Sequence, residues 1–160
     1  MEKTTKLSAD LGALLAKHGH LLTTAESCTG GGVATAITDI AGSSAWLDRA
    51  FVTYSNEAKM EMLGVQASTL EAHGAVSEPV VIEMVQGAMK NSNATIGVSI
   101  SGIAGPGGGS EEKPVGMVCF AFADNQSWQQ VETMHFTGDR AEVRKKAVEH
   151  ALTQLYQHLL

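Results

Sequence analysis

Cysteine is nearly absent from this 160-residue chain: Cys28 and Cys119 stand alone, too few for a disulfide framework and without metal-ligand spacing. Their scarcity points to a reduced compartment. The opening residues have no apolar h-region, so no secretory signal is visible. No uninterrupted apolar run reaches the length that spans a bilayer. A cytoplasmic protein follows by elimination. A basic surplus is missing as well. Eleven lysines and arginines face 17 acidic residues, for a formal charge of −6, and no basic cluster exceeds Arg144-Lys145-Lys146, inside a helical pattern. Such a balance disfavours nucleic-acid binding, which needs a basic face against the phosphates, but is compatible with a small anionic ligand held by a few local donors. Aromatics are few, at 5%, whereas glycine is abundant, at 17 residues. Many tight turns and close backbone approaches follow from that pairing. With 44% hydrophobic and 18% charged residues, the chain has an ordinary globular composition and the length of one domain, 1–160.

The pattern along the chain alternates strand and helix early and pairs strands late. Leu7, Leu11, Leu14 and Leu15 recur at helical spacing between about Lys6 and His18, with Gly19 as the stop. Leu21 to Ala25 reads as a strand, and a small-residue helix then runs from the Gly30-Gly31-Gly32 segment to about Ile40. Three successive glycines at a helix start are costly, so something there must require bare backbone. A turn over Ala41-Gly42-Ser43-Ser44 leads to a second strand, Arg49 to Tyr54. Ser55-Asn56 caps a helix from about Glu57 to Leu63, a short helix covers Ala67 to Ala72, and Ser77-Glu78-Pro79 starts another that runs to about Lys90. Thr95 to Ile100 is a buried strand; Gly102 to Lys113 is a loop with five glycines; Val115 to Ala123 and Gln130 to Phe136 are adjacent strands; Gly138-Asp139 opens a last helix to about Leu159. The whole predicts an α/β fold, a three-layer α/β/α sandwich with a mixed, mostly parallel sheet, without repeat, low-complexity tract or linker.

Three segments carry residues suited to chemistry. Glu26-Ser27-Cys28-Thr29-Gly30-Gly31 sits where a strand hands over to a helix, the place where open α/β sheets bind ligands. Ser27 there is either a nucleophile with backbone N–H groups at hand for an oxyanion, or simply a helix cap. Cys28 is the rival nucleophile, or a small core residue. In Tyr54-Ser55-Asn56-Glu57-Ala58-Lys59, the lysine lies in the first turn of a helix, against the positive end of the dipole. Desolvation there would loosen its proton, as a general base requires; otherwise Lys59 is a solvated surface lysine. Tyr54 is placed to relay a proton or orient the nucleophile. The glycine-rich run from Ser101 to Ser110 leaves a strand end and can cradle an anion or merely connect strands, and Arg140 at a helix start suits a phosphate or carboxylate unless it pairs with Glu142 or Glu132. The six histidines form no metal pattern; no metal or cofactor is expected.

Taken in order, Ala25-Glu26-Ser27-Cys28-Thr29-Gly30-Gly31, Thr53-Tyr54-Ser55-Asn56-Glu57-Ala58-Lys59, His73-Gly74-Ala75-Val76-Ser77-Glu78 and Ser101-Gly102-Ile103-Ala104-Gly105-Pro106 with Lys113-Pro114-Val115-Gly116 resemble the CinA C-terminal domain family, in its stand-alone nicotinamide mononucleotide deamidase form. The resemblance implies metal-free hydrolysis of the carboxamide of nicotinamide mononucleotide in pyridine-nucleotide salvage. It also implies Ser27 as nucleophile with Tyr54 and Lys59 assisting, and substrate contacts on Thr29, Gly30, Ser44, the Gly105 loop and Arg140. The expected partners are a small nucleotide substrate and further copies of the chain in a homodimer or higher closed oligomer, with neither nucleic acid nor membrane.

Overall fold

Apolar and β-branched runs become the strands β1 (Leu22–Glu26), β2 (Leu47–Val52), β3 (Ile96–Gly102), β4 (Met117–Asp124) and β5 (Gln129–His135) in a computed structural model that describes residues 2–160. They form one sheet in the order β2-β1-β3-β4-β5. β1 pairs in parallel with both β2 and β3, whereas β3–β4 and β4–β5 are antiparallel, so β4 alone runs against the other four. Helices α1 (Lys3–Lys17), α2 (Gly32–Thr38) and α6 (Arg140–Leu159) cover one face around Leu22, Val98, Ile100 and Phe120. Helices α3 (Asn56–Leu63), α4 (Ala67–His73) and α5 (Glu78–Lys90) cover the other, around Ala25, Cys119 and Ala121. The mixed three-layer sandwich expected from the alternation of elements is the architecture found. No described helix is long and apolar enough to cross a membrane.

Two boundaries and one cap depart from the sequence reading for local reasons. Helix α2 starts only at Gly32, because Gly30 and Gly31 take φ values of +60° and +96° that no right-handed helix can hold. Gly32 is bare for a different reason: a Cβ there would sit 2.9 Å from a Val148 methyl of α6. Val115 stays out of β4, which begins two residues later after Gly116 turns at φ +96°. Ser77 occupies the N-cap position of α5, yet its hydroxyl donates to the Gly74 carbonyl at 2.7 Å instead of accepting from the helix.

The order of strands sets the place of the site. From β1 the chain crosses to β2 on one side, and from β2 it returns across to β3 on the other, so a crevice opens past the carboxyl ends of β1 and β3. Helix α3 hangs over that crevice and is fixed from behind by α5. At the contact, a Cβ on Gly87 would lie 1.8 Å from the Leu63 carbonyl oxygen and 2.7 Å from its carbon. Backbone cannot yield as a side chain can, so the sign of an ordinary substitution reverses here. Glycine to alanine in a helix interior usually stabilises by about 1 kcal/mol; Gly87→Ala will instead destabilise by about 2 kcal/mol or more through overpacking, read as a lowered urea midpoint at unchanged m-value.

Candidate active site

Beyond the carboxyl ends of the parallel strands lies a cavity of about 270 Å³ lined by Ser27 and Cys28 after β1, Tyr54, Asn56 and Lys59 after β2, Ser101 to Gly108 at the end of β3, Ala75 and Val76 before α5, and Arg140 at the start of α6. At its floor are Ser27 and Lys59. Lys59 is 1% exposed and stands among the largest fully buried side chains of the described residues, beside Phe120 and Phe122. Its Nζ donates to the Ser27 Oγ at 3.0 Å and to the backbone carbonyls of Thr53 at 2.9 Å and Tyr54 at 3.3 Å. The chain delivers it there because the Ser55 hydroxyl accepts from the Ala58 amide at 3.0 Å, capping α3 and curling residues 53–55 around the lysine.

None of the described acidic side chains lies within ion-pair distance of Lys59. Burial without a counter-charge pushes its pKa below the ordinary lysine value. Charged, the ammonium would donate to all three oxygens. Neutral, the amine would keep two N–H bonds to the two carbonyls and turn its lone pair on the serine hydroxyl. The Ser27 hydroxyl has one other acceptor, the Tyr54 carbonyl, at a long 3.5 Å.

The segment after Ser27 is held by two charged groups. Glu26, fully buried, accepts from the Thr29 hydroxyl at 2.6 Å and from the amides of Val33 and Ala34 at 2.9 and 3.1 Å, so its carboxylate caps α2 from inside the sheet. Arg144 of α6 donates to the carbonyls of Cys28 at 3.1 Å and Thr29 at 3.3 Å. In a trans peptide the N–H points opposite to the carbonyl, so this grip turns the Thr29 amide away from α6. Neither role was visible in the sequence, where Arg144 stood out only as part of a short basic cluster inside a helical pattern. The Cys28 thiol is pushed up to about 11 by burial and the neighbouring Glu26 carboxylate, and the residue packs in the core. A thiol so far from ionisation is a poor nucleophile at neutral pH.

The residues singled out in the sequence divide into two groups. Ser27, Tyr54, Lys59, Gly105 and Arg140 all line the cavity; Thr29, Gly30 and Ser44 do not. The Thr29 hydroxyl is turned inward to Glu26, and the Gly30 amide is already given to the Ser27 carbonyl at 3.0 Å. Ser44 sits in the short turn before β2, at the amino end of the parallel strands and thus at the opposite edge of the sheet. Tyr54 is 61% exposed, and its hydroxyl accepts from Arg140 at 3.2 Å while no hydrogen bond joins it to Ser27 or Lys59. Its backbone, not its phenol, touches the lysine. Arg140 also donates to the Gly105 carbonyl at 2.9 Å and pairs with none of the described carboxylates, neither Glu142 nor Glu132, so its charge faces the cavity uncompensated. The two remaining motifs meet as well: Lys113 donates to the His73 carbonyl and straps the glycine loop to the end of α4. His73 itself is exposed and lies outside the cavity lining. Among the described residues no three His, Cys, Asp or Glu side chains converge as metal ligands.

The likeness to known proteins extends over nearly the whole chain. One similar protein, named nicotinamide-nucleotide amidohydrolase PncC, from Escherichia coli strain K12, is 59% identical over 155 residues, covering 97% of this chain and 94% of that protein. Another of the same name, from Enterobacter agglomerans, is 56% identical over 147 residues, covering 92% and 90% respectively. The crystal structure of the competence/damage inducible protein CihA from Agrobacterium tumefaciens superposes with a TM-score of 0.96 at 43% identity, covering 98% of this chain and 96% of that one. The family model for the CinA C-terminal domain matches residues 4–159, and the chain belongs to that family.

Proposed function

We propose that this protein is a nicotinamide-nucleotide amidohydrolase, converting nicotinamide mononucleotide and water into nicotinic acid mononucleotide and ammonia in pyridine-nucleotide salvage. One observation carries the mechanism: a buried lysine without a counter-ion, its nitrogen 3.0 Å from a serine hydroxyl in the floor of a cavity. Neutral Lys59 takes the Ser27 proton as the oxygen attacks the carboxamide carbon. The C–N bond breaks, the nitrogen leaves with the proton that Lys59 received, and an acyl ester remains on Ser27. Water then attacks the ester, giving the carboxylic acid and restoring the serine hydroxyl.

The oxyanion needs donors that no protein group already uses. The Cys28 amide, next to the nucleophile, and the amides of Ala104 and Gly105 in the facing loop form no backbone hydrogen bond among the described residues. They replace Gly30, whose N–H is spent, as the groups that stabilise it. Arg140, oriented by Gly105 and Tyr54, takes the phosphate. Phosphate held at the rim spends remote binding energy on placing the carboxamide over Ser27. The exposed tyrosine thereby serves binding and not proton transfer.

Ammonia release measured with nicotinamide mononucleotide, beside free nicotinamide, tests the reading directly. Wild-type protein is expected to act on the nucleotide, with the rate unchanged in chelator. Ser27→Ala is expected to lower kcat by about 10⁴-fold or more and Lys59→Met by about 10³-fold, both with a native circular dichroism spectrum. An undiminished rate in Ser27→Ala would end the serine assignment. The pH profile gives an independent check. The active form of Lys59 is the neutral one, so kcat/KM falls as pH falls through its pKa. Because burial lowers that pKa, the limb should lie below the ordinary lysine value of about 10.4, and a limb at the ordinary value would remove Lys59 as base.

A further inference from the structure

Ser101 is a polar side chain of the cavity that the mechanism leaves idle. Along β3 the side chains alternate: Val98 and Ile100 enter the core under α6, while the Ser99 hydroxyl donates to the Val81 carbonyl of α5 at 2.6 Å. Two residues on, Ser101 faces the same side as Ser99, the side of α3 and Lys59. On β1 the corresponding positions are Ala25, packed with α5, and then Ser27. The last registered pair of the two strands is Glu26–Ile100, and the Ser27 amide extends the ladder by donating to the Ile100 carbonyl at 3.0 Å. Ser27 and Ser101 thus leave neighbouring strands on one face, with backbones about 4.8 Å apart.

Ser101 is only 1% exposed, yet it lines the cavity. Its hydroxyl makes no hydrogen bond to any described residue, and it is not among the fully enclosed orphan hydroxyls, which are those of Ser8, Thr24 and Thr53. What it lacks, then, is a partner arriving from the cavity. The other side chains around the reacting centre are ill-suited to receive an amide hydrogen. Arg140 is a donor, neutral Lys59 commits its lone pair to Ser27, Ser27 is the attacking group, the Tyr54 hydroxyl is held at the exposed rim by Arg140, and Asn56 is likewise exposed. We propose that Ser101 is a specificity-determining residue whose oxygen accepts a hydrogen bond from the N–H of the substrate carboxamide, turning the leaving nitrogen toward Lys59 and the carbonyl oxygen toward the backbone donors. This assignment rests on the deamidase reading.

An ester separates it from a general effect on acyl transfer, because an ester's leaving oxygen has no hydrogen to give. Ser101→Ala and wild type would be compared on nicotinamide mononucleotide and on the methyl ester of nicotinic acid mononucleotide. Loss of one neutral hydrogen bond predicts a fall of about tenfold in kcat/KM for the amide and a change within about twofold for the ester. Sustained ester turnover also certifies that the variant is folded and Ser27 active. Equal losses on both substrates, or no loss on the amide, would overturn the assignment. A wild-type protein that cleaves the ester but releases no ammonia from the amide would refute the deamidase reading itself, and this one with it.

Discussion

A lysine nitrogen buried at the floor of a cavity, with none of the described carboxylates in ion-pair distance, is the constraint around which this molecule is organised. Lys59 is accommodated because Thr53 and Tyr54 present two backbone carbonyls to it and Ser27 a hydroxyl. Such a group is costly to bury, and the surrounding structure is built to keep it in place. The Ser55 cap curls the preceding loop around it, and α5 approaches α3 so closely at Gly87 that no side chain fits between them. On the opposite side of Ser27, a buried carboxyl group does complementary work. Glu26 binds the start of α2 and keeps the turn after Ser27 tight. The two groups do not pair with one another; each fixes one flank of the serine.

The layers of the fold were legible because the sequence repeats two simple periods. Leucines three and four apart marked α1, and β-branched runs marked β1 and β3, whose residues are buried on both faces. Ser27 and Lys59 were also legible, as residues whose types suit each other's chemistry, though nothing in their spacing of 32 positions says that they touch. Strand order brings them together, and strand order is a property of the whole chain. What could not be read was which half of a residue acts. Tyr54 was noticed for its phenol, and its carbonyl makes the contact with the lysine. Thr29 and Gly30 were noticed for their amides, before the tight turn spent one of them on Ser27. Ser44 failed for a plainer reason: small polar residues in turns look alike at either end of a sheet.

Arg144 marks the boundary between packing and chemistry. Its guanidinium grips two carbonyls that follow Ser27, although it is separated from them by more than 110 positions. Arg140, one helical turn earlier, faces the cavity from the same helix. Docking of α6 on the sheet through Val143, Ala147 and Leu152 therefore sets both the rim of the site and the shape of its innermost loop. A helix that looks like one more layer of the sandwich is a structural member of the candidate site.

That long-range grip has a temporal side. A ribosome makes the Ser27 segment more than a hundred residues before the two arginines of α6. Until α6 is made, the turn after Ser27 lacks the Arg144 grip and the cavity lacks its Arg140 wall. The cavity thus takes its final shape only once α6 has docked on the sheet, late in folding and not early.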